Sequence, residues 1–224
     1  MTSPSSPKVS FTSLTSADFR RSVECRLPRD IDPSAFDPAQ RPLSGDHRLA
    51  DDLAPQDGRL HQPAAVLVPV ISHQNAPTLL FTERSKHLKN HAGQIAFPGG
   101  KIDATDQGPI AAALREAEEE IGLDPSLVEP VGCLDPYLSS SGYRIIPVVA
   151  MITMPFTLTL NKNEVESVFE VPLGFLMDPA NHEIHEREWR GAQRRYFAMP
   201  YGERYIWGVT AGIIRALYER LFTP

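Results

Sequence analysis

The stretch Gly99-Gly-Lys-Ile-Asp-Ala-Thr-Asp-Gln-Gly-Pro-Ile-Ala-Ala-Ala-Leu-Arg-Glu-Ala-Glu-Glu-Glu-Ile-Gly-Leu123 decides how the chain is read. Its second half has the marks of a helix with both ends defined. Pro109 suits the first helical position, where its missing N–H is not needed. Gly122 can take a positive φ just past the end, Leu123 can cover that end, and Pro125 stops continuation. On a wheel of about 100° per residue, Glu116, Glu119 and Glu120 share one sector. Ala112 and Ala113 lie in that sector one turn earlier and are expected to leave room beside the carboxylates. Ile110, Leu114, Ala117 and Ile121 form the stripe expected to be buried. Three like charges on one face destabilise a helix unless a cation sits there. Oxygen ligands at i, i+3 and i+4 suit a hard divalent cation such as Mg²⁺ or Mn²⁺. The bland alternative is a solvated acidic face, but Lys partners are missing from it. Arg115, one turn before Glu119, is placed to pair with a carboxylate and aim it.

Outward from this helix, Ala64–Ile71 and Pro77–Thr82 read as strands joined by a polar turn at 72–76. Strand-like runs occur further on at 127–134, 144–153 and 155–160, with a short extended piece at Val168–Pro172. Ile184–Met199 reads as a polar hairpin turning near Gly191. Ile206–Phe222 reads as a helix, because Trp207, Ile213, Ile214, Leu217 and Leu221 recur at helical spacing. Strands and helices are interspersed, which predicts an α/β protein with helices against a mixed sheet. Seven of the 21 prolines fall in residues 1–60. That segment is expected to be an extension, its first dozen residues a mobile tail, with one short helix at Phe19–Arg26 capped by Ser16. Residues 61–224 form the domain.

With 22 Lys+Arg against 28 Asp+Glu the net charge is −6, which argues against a generic nucleic-acid or anionic-membrane binder. It does not argue against an acidic substrate, because a site uses local charge. Arg84, Lys86, His87, Lys89 and His91 supply such a basic patch within eight residues. The two cysteines, Cys25 and Cys133, make neither a disulfide framework nor a metal pair, so reduced thiols and a cytoplasmic location are expected. There is no 18-residue apolar run to span a membrane, and residues 1–14 lack the pattern of a secretory signal. Ser139-Ser-Ser-Gly142 is not a nucleophile elbow and reads as a turn. His182-Glu-Ile-His-Glu186 does not have zinc-helix spacing. Trp207 reads as a core or interface residue rather than a base-stacking platform.

The helical stretch resembles the Nudix box, Gly-x5-Glu-x7-Arg-Glu-U-x-Glu-Glu-x-Gly-U, with U aliphatic. Arg115, Glu116, Ala117, Glu119, Glu120, Gly122 and Leu123 match its second half. The first half is one residue longer, and Asp106 stands where an early Glu is usual. This long spacing is typical of the coenzyme A pyrophosphatase branch. The preceding Leu79–Gly100 resembles that branch's own signature, Leu-Leu-Thr-x-Arg-Ser-x3-Arg-x3-Gly-x3-Phe-Pro-Gly-Gly, through Arg84, Ser85, Gly93 and Phe97–Gly100. Phe81 is inserted, and Lys89 replaces an Arg. The run Tyr196–Ala211 is also similar to this branch.

The resemblance implies a Nudix-type α/β/α sandwich and metal-assisted hydrolysis of a pyrophosphate linkage. Glu116, Glu119 and Glu120 would hold Mg²⁺ or Mn²⁺, with a Gly99 or Gly100 carbonyl. Arg84, Ser85, Lys89, Gly93, Phe97 and Gly99 would meet the substrate. Arg115 would aim a carboxylate, and Glu119, Glu120 or Glu164 would serve as base. Coenzyme A would yield 3′,5′-ADP and 4′-phosphopantetheine. Another nucleoside diphosphate derivative, such as ADP-ribose or a dinucleotide, is the enzymatic alternative, and a non-catalytic Nudix-fold binding module is the third. A homodimer is expected by analogy of fold alone.

Overall fold

The computed structural model describes residues 11–37, 44–49, 61–189 and 192–223. Of the mobile tail expected over the first dozen residues, residues 1–10 lie outside the described residues, as does the turn expected at Gly191, while Phe11 instead packs on the main core, its ring 5.2 Å from that of Phe222. The helices are α1 (Ser16–Arg26), α2 (Pro109–Ile121), α3 (Leu173–Met177) and α4 (Val209–Phe222). The strands are β1 (Ser44–Gly45), β2 (Gln62–Ile71), β3 (Thr78–Arg84), β4 (Ile95–Ala96), β5 (Gly99–Lys101) and β6 (Val128–Cys133). They continue as β7 (Tyr137–Leu138), β8 (Tyr143–Ile152), β9 (Val165–Pro172), β10 (Glu183–Trp189), β11 (Ala192–Tyr201) and β12 (Arg204–Trp207).

Strand β2 organises the main sheet. It pairs in parallel with β8 along its whole length, from Gln62 opposite Tyr143 to Ile71 opposite Ile152. On its other edge it forks. Its last two residues pair antiparallel with β3, while Ala64–Val66 pair with β5. Beyond β3 lie β9 and β4, and beyond β8 lie β6 and β7. Strands β10, β11 and β12 form a separate antiparallel sheet.

Alternation along β2 explains the layers. Val68 and Val70 point into a core shared with α1, α3 and α4, whereas Ala65, Leu67 and Ile71 point into a core under α2. The sheet is therefore covered on both faces, which makes the predicted α/β/α sandwich. Among the described residues no helix is long and apolar enough to cross a membrane.

Several sequence expectations are corrected. The α1 cap is Thr15, whose Oγ1 accepts from the Asp18 N–H at 3.1 Å, and Ser16 is already helical. The last helix begins at Val209. Ile206 and Trp207 belong to β12, and Gly208, with φ of 64°, breaks the chain between them. The run 155–160 is not a strand. Instead the Thr159 N–H donates to the Ile121 carbonyl at 2.8 Å and the Asn161 N–H to the Glu120 carbonyl at 2.9 Å. It thereby satisfies carbonyls that a helix end leaves without partners. Ala112 and Ala113 leave no room for a ligand: both are fully buried, and their small side chains let α2 lie close against the sheet. Ile110 and Leu114 are only half-buried.

Helix α1 joins the main core. Phe19 and Val23 are fully buried there, with Leu27 beside them. A Cβ on Gly132 of β6 would fall 2.8 Å from the Leu27 Cβ, so the helix and the strand are in close contact. Arg26 Nη1 donates to the Thr223 carbonyl at 2.8 Å at the end of α4.

Candidate active site

The site sits at the fork in β2, where β5 delivers Gly99 and Gly100 to the side of α2. Gly99 has φ of 154°, and a Cβ there would lie 2.4 Å from the Ala65 carbonyl oxygen, so only glycine lets β5 approach β2 this closely. A Cβ on Gly100 would lie 2.5–2.6 Å from the carboxylate of Glu116. Glu116 therefore rests directly on the Gly100 backbone.

Arg115 fans across this corner. Its Nε and Nη2 donate to the two Asp106 oxygens at 3.0 Å each, and Nη2 also donates to the Lys101 carbonyl at 3.1 Å. Its Nη1 donates to Glu116 at 2.9 Å and to Glu119 at 3.2 Å. The guanidinium thus ties the β5–α2 loop to two box carboxylates. Hydrogen bonding to Asp106 raises the Arg115 pKa further, and the same bond holds Asp106 below its usual range. Asp106 is the anchor of the longer loop.

Glu120 is only 3% exposed. Its carboxylate meets Arg84 Nη1 at 3.5 Å and accepts from the Gly99 N–H at 3.3 Å. Burial pushes its pKa up to about 7, and the charges of Glu116 and Glu164 add to the rise while Arg84 opposes it. Burial likewise raises Glu116, with Arg115 opposing and Glu119 and Glu164 adding. Glu164 is thus close enough for its charge to reach both box carboxylates. Its loop is pinned on two sides, because Asn161 N–H holds the Glu120 carbonyl and the Glu164 carbonyl accepts from the Ser85 N–H at 2.8 Å.

Carboxylates gathered at a glycine cradle have the donor chemistry a hard divalent cation requires. Glu116, Glu119, Glu120 and the Gly100 carbonyl could hold one. Among the described residues no three acidic, His or Cys side chains converge as a ready metal group. Glu116 and Glu120 turn instead to the guanidinium groups of Arg115 and Arg84, and the Glu119 side chain is 58% exposed.

The predicted substrate-binding residues separate. Arg84, Phe97 and Gly99 line a cavity of about 570 Å³ that opens beside Gly100 and Lys101. Ser85 does not: it is buried at 1% exposure, and its N–H fixes the Glu164 loop. Lys89 is exposed and outside the cavity wall, as is Lys86, so of the basic loop Arg84 and His91 line the cavity. Gly93, with φ of 70°, forms the turn before β4 and also stays outside. Phe97 reaches the cavity with part of its surface and stacks on Phe81 with centroids 4.9 Å apart. Sequence reading missed the far wall, which the β10–β11 hairpin builds with Arg187, Arg194 and Tyr196. The arginines were visible in the sequence, but the strand register that aims them was not.

Comparison with known proteins gives the family. The NUDIX domain profile matches residues 60–194. The uncharacterized Nudix hydrolase NudL of Escherichia coli K12 is 45% identical over 157 residues, covering 70% of this chain and 81% of its own length. The protein of the same name from Escherichia coli O7:K1 matches with the same identity and coverage. Among solved structures, the M. smegmatis Nudix hydrolase RenU is 22% identical with a TM-score of 0.44, over 50% of this chain and 71% of that one. The chain belongs to the Nudix hydrolase family. It is accordingly an enzyme of the pyrophosphatase type, acting on a small nucleotide-like molecule.

Proposed function

We propose that this enzyme is a divalent-metal-dependent pyrophosphohydrolase of coenzyme A and its acyl and oxidised forms, releasing 3′,5′-ADP and 4′-phosphopantetheine. One observation carries the reading. Arg84, from the motif that resembles the coenzyme A branch, meets Glu120 of the Nudix box at 3.5 Å, at the mouth of a cavity whose wall includes further cationic residues. Two separate sequence signatures thus meet at one corner, and local positive charge there offsets the acidity of the whole chain.

A cation held by Glu116, Glu119, Glu120 and the Gly100 carbonyl would neutralise phosphate charge and acidify water. The chain's own residues do the rest. Arg115 fixes the orientation of Glu116 and Glu119. Arg84 stands at the cavity wall, where it can share its charge between Glu120 and a phosphate oxygen. Glu164, on a loop tied to both motifs, is the group that accepts the proton of the attacking water. A cytoplasmic location is part of the same reading, with Cys25 and Cys133 as free thiols.

The test is to incubate the pure chain with coenzyme A and Mn²⁺ or Mg²⁺ and separate the products, alongside ADP-ribose and dinucleotides. The proposal expects 3′,5′-ADP, with kcat/KM for coenzyme A or one of its forms highest in the panel. No product from any form of coenzyme A would reject it. A higher kcat/KM for ADP-ribose would move the assignment to that substrate.

A further inference from the structure

Residues directly opposite each other on antiparallel strands share a face of the sheet. The register pairs Arg187 with Arg194 and His185 with Tyr196, so all four side chains belong to one face of the β10–β11 hairpin. Trp207 of β12 lies opposite Ala198, two residues beyond Tyr196, and joins the same face. The other face carries Met199 and Ile206 fully buried into the core. Arg187, Arg194, Tyr196 and Trp207 all line the cavity of about 570 Å³, across from Gly100 and Lys101 of the Nudix corner.

Two features of this wall point to a ligand. The register sets Arg187 directly opposite Arg194, so the two guanidinium groups leave one patch of the sheet and can reach the same anion. Among the described residues the cavity wall has five arginine and lysine cations and one carboxylate, Asp46, in a chain of net charge −6. That carboxylate is already occupied by the Tyr137 hydroxyl at 2.6 Å and the Ser140 N–H at 2.8 Å. Beside the arginines, Tyr196 and Trp207 meet edge to face, centroids 5.2 Å apart, and offer flat aromatic surface to a nucleobase.

We propose that this sheet face receives the nucleotide half of the substrate. Tyr196 and Trp207 take the base, and Arg187 and Arg194 take a phosphate monoester on the ribose, remote from the pyrophosphate at the box. Two guanidinium forks suit a phosphate dianion better than lysines do. The assignment moves the remote-phosphate contact from Lys86 and Lys89, which are exposed and outside the cavity, to the hairpin, while Arg84 and His91 of the same loop line the cavity nearer the box. It also gives Trp207 a ligand role that its sequence context did not suggest. It rests on the nucleotide reading above and specifies which chemical feature of the nucleotide is recognised.

The experiment measures binding of 3′,5′-ADP and 5′-AMP to the full chain in chelator by calorimetry. Wild type is expected to bind 3′,5′-ADP at least about tenfold more tightly, a difference of about 1.4 kcal/mol. Arg187→Gln and Arg194→Gln should each reduce that preference to below about threefold while leaving 5′-AMP affinity unchanged, and Trp207→Ala should weaken both ligands together. Arg187 is exposed, so Arg187→Gln decides the matter if the Arg194 variant folds poorly. Equal wild-type affinity for the two ligands, or equal loss of both in the arginine variants, would overturn the proposal. The coenzyme A reading fails separately. If no form of coenzyme A is cleaved but the 3′,5′-ADP preference depends on Arg187, the hairpin assignment stands alone. If coenzyme A is cleaved and the arginine variants raise KM equally for coenzyme A and its 3′-dephospho form, the hairpin assignment falls and the substrate reading survives.

Discussion

Arg115 holds Asp106 through two parallel hydrogen bonds of 3.0 Å, and with the same guanidinium reaches Glu116 and Glu119. The longer loop before the helix is thus anchored to the residue that orients the box carboxylates. Asp106→Ala should lower kcat about 10- to 100-fold, the usual cost of losing an orienting partner behind a metal ligand. KM should change little, because Asp106 is outside the cavity wall. Steady-state kinetics decide this. Unchanged kcat would mean that Arg115 holds its aim without the loop.

Glu120 predicts a pH-dependent stability in the metal-free protein. Its folded pKa of about 7 lies above the ordinary 4.5. A raised carboxyl pKa means that the folded state binds the proton more tightly than the unfolded chain does. The stabilisation is therefore complete below about pH 4.5 and is lost as pH climbs through 7. The loss amounts to about 3 kcal/mol. Glu120→Gln, which stays neutral, should be more stable than wild type at pH 8 in chelator and should lose that advantage near pH 5. Denaturant melts at the two pH values measure it, and a constant difference between the proteins would contradict the assignment.

The adjacent glycines of β5 should respond differently to alanine. At Gly99 the new Cβ meets the Ala65 carbonyl and the φ is unfavourable, so Gly99→Ala should cost about 3 kcal/mol or more of stability. At Gly100 the obstacle is the Glu116 carboxylate, the end of a flexible side chain. Gly100→Ala should therefore melt near wild type while turnover drops at least tenfold. Equal melting losses in the two variants would show that Gly100 serves the fold alone.

Helix α1 precedes the segment matched by the family profile, yet it fills the main core. Phe19→Ala removes a fully buried ring and should destabilise by about 3–5 kcal/mol. Loss of less than 1 kcal/mol in a urea titration would mean that the extension is dispensable to the domain.

Helix α2 was legible in the sequence because its limits are chemical: proline can start it, and a left-handed glycine ends it. Its buried side was read correctly at Ala117 and Ile121, which are buried, and missed at the other two positions. The larger apolar residues suggested Ile110 and Leu114, but close approach to the sheet selects Ala112 and Ala113. Residues 155–160 have the alternation of a strand, and Phe156, Leu158 and Leu160 do pack on the core. Their backbone goes to the end of α2 rather than to a neighbouring strand, a choice that local pattern does not encode. Ile206 and Trp207 share the helical spacing of α4, and only the conformation of Gly208 separates them from that helix. At the site, the box carboxylates and Arg84 could be named from motifs. Arg187 and Arg194 could not, since their function depends on cross-strand register and on a cavity that exists only in three dimensions.

The parallel pairing of β2 with β8 joins Gln62 to Tyr143, and the intervening chain contains the whole of α2. Closing a loop of about 80 residues costs on the order of 4 kcal/mol of chain entropy before any contact repays it. Folding should therefore proceed slowly for a domain of this size. During refolding, helical signal at α2 should return earlier than turnover, because the fork that brings Gly100 to Glu116 exists only once this distant strand has arrived. Regained catalysis would thus act as a clock for completion of the central sheet.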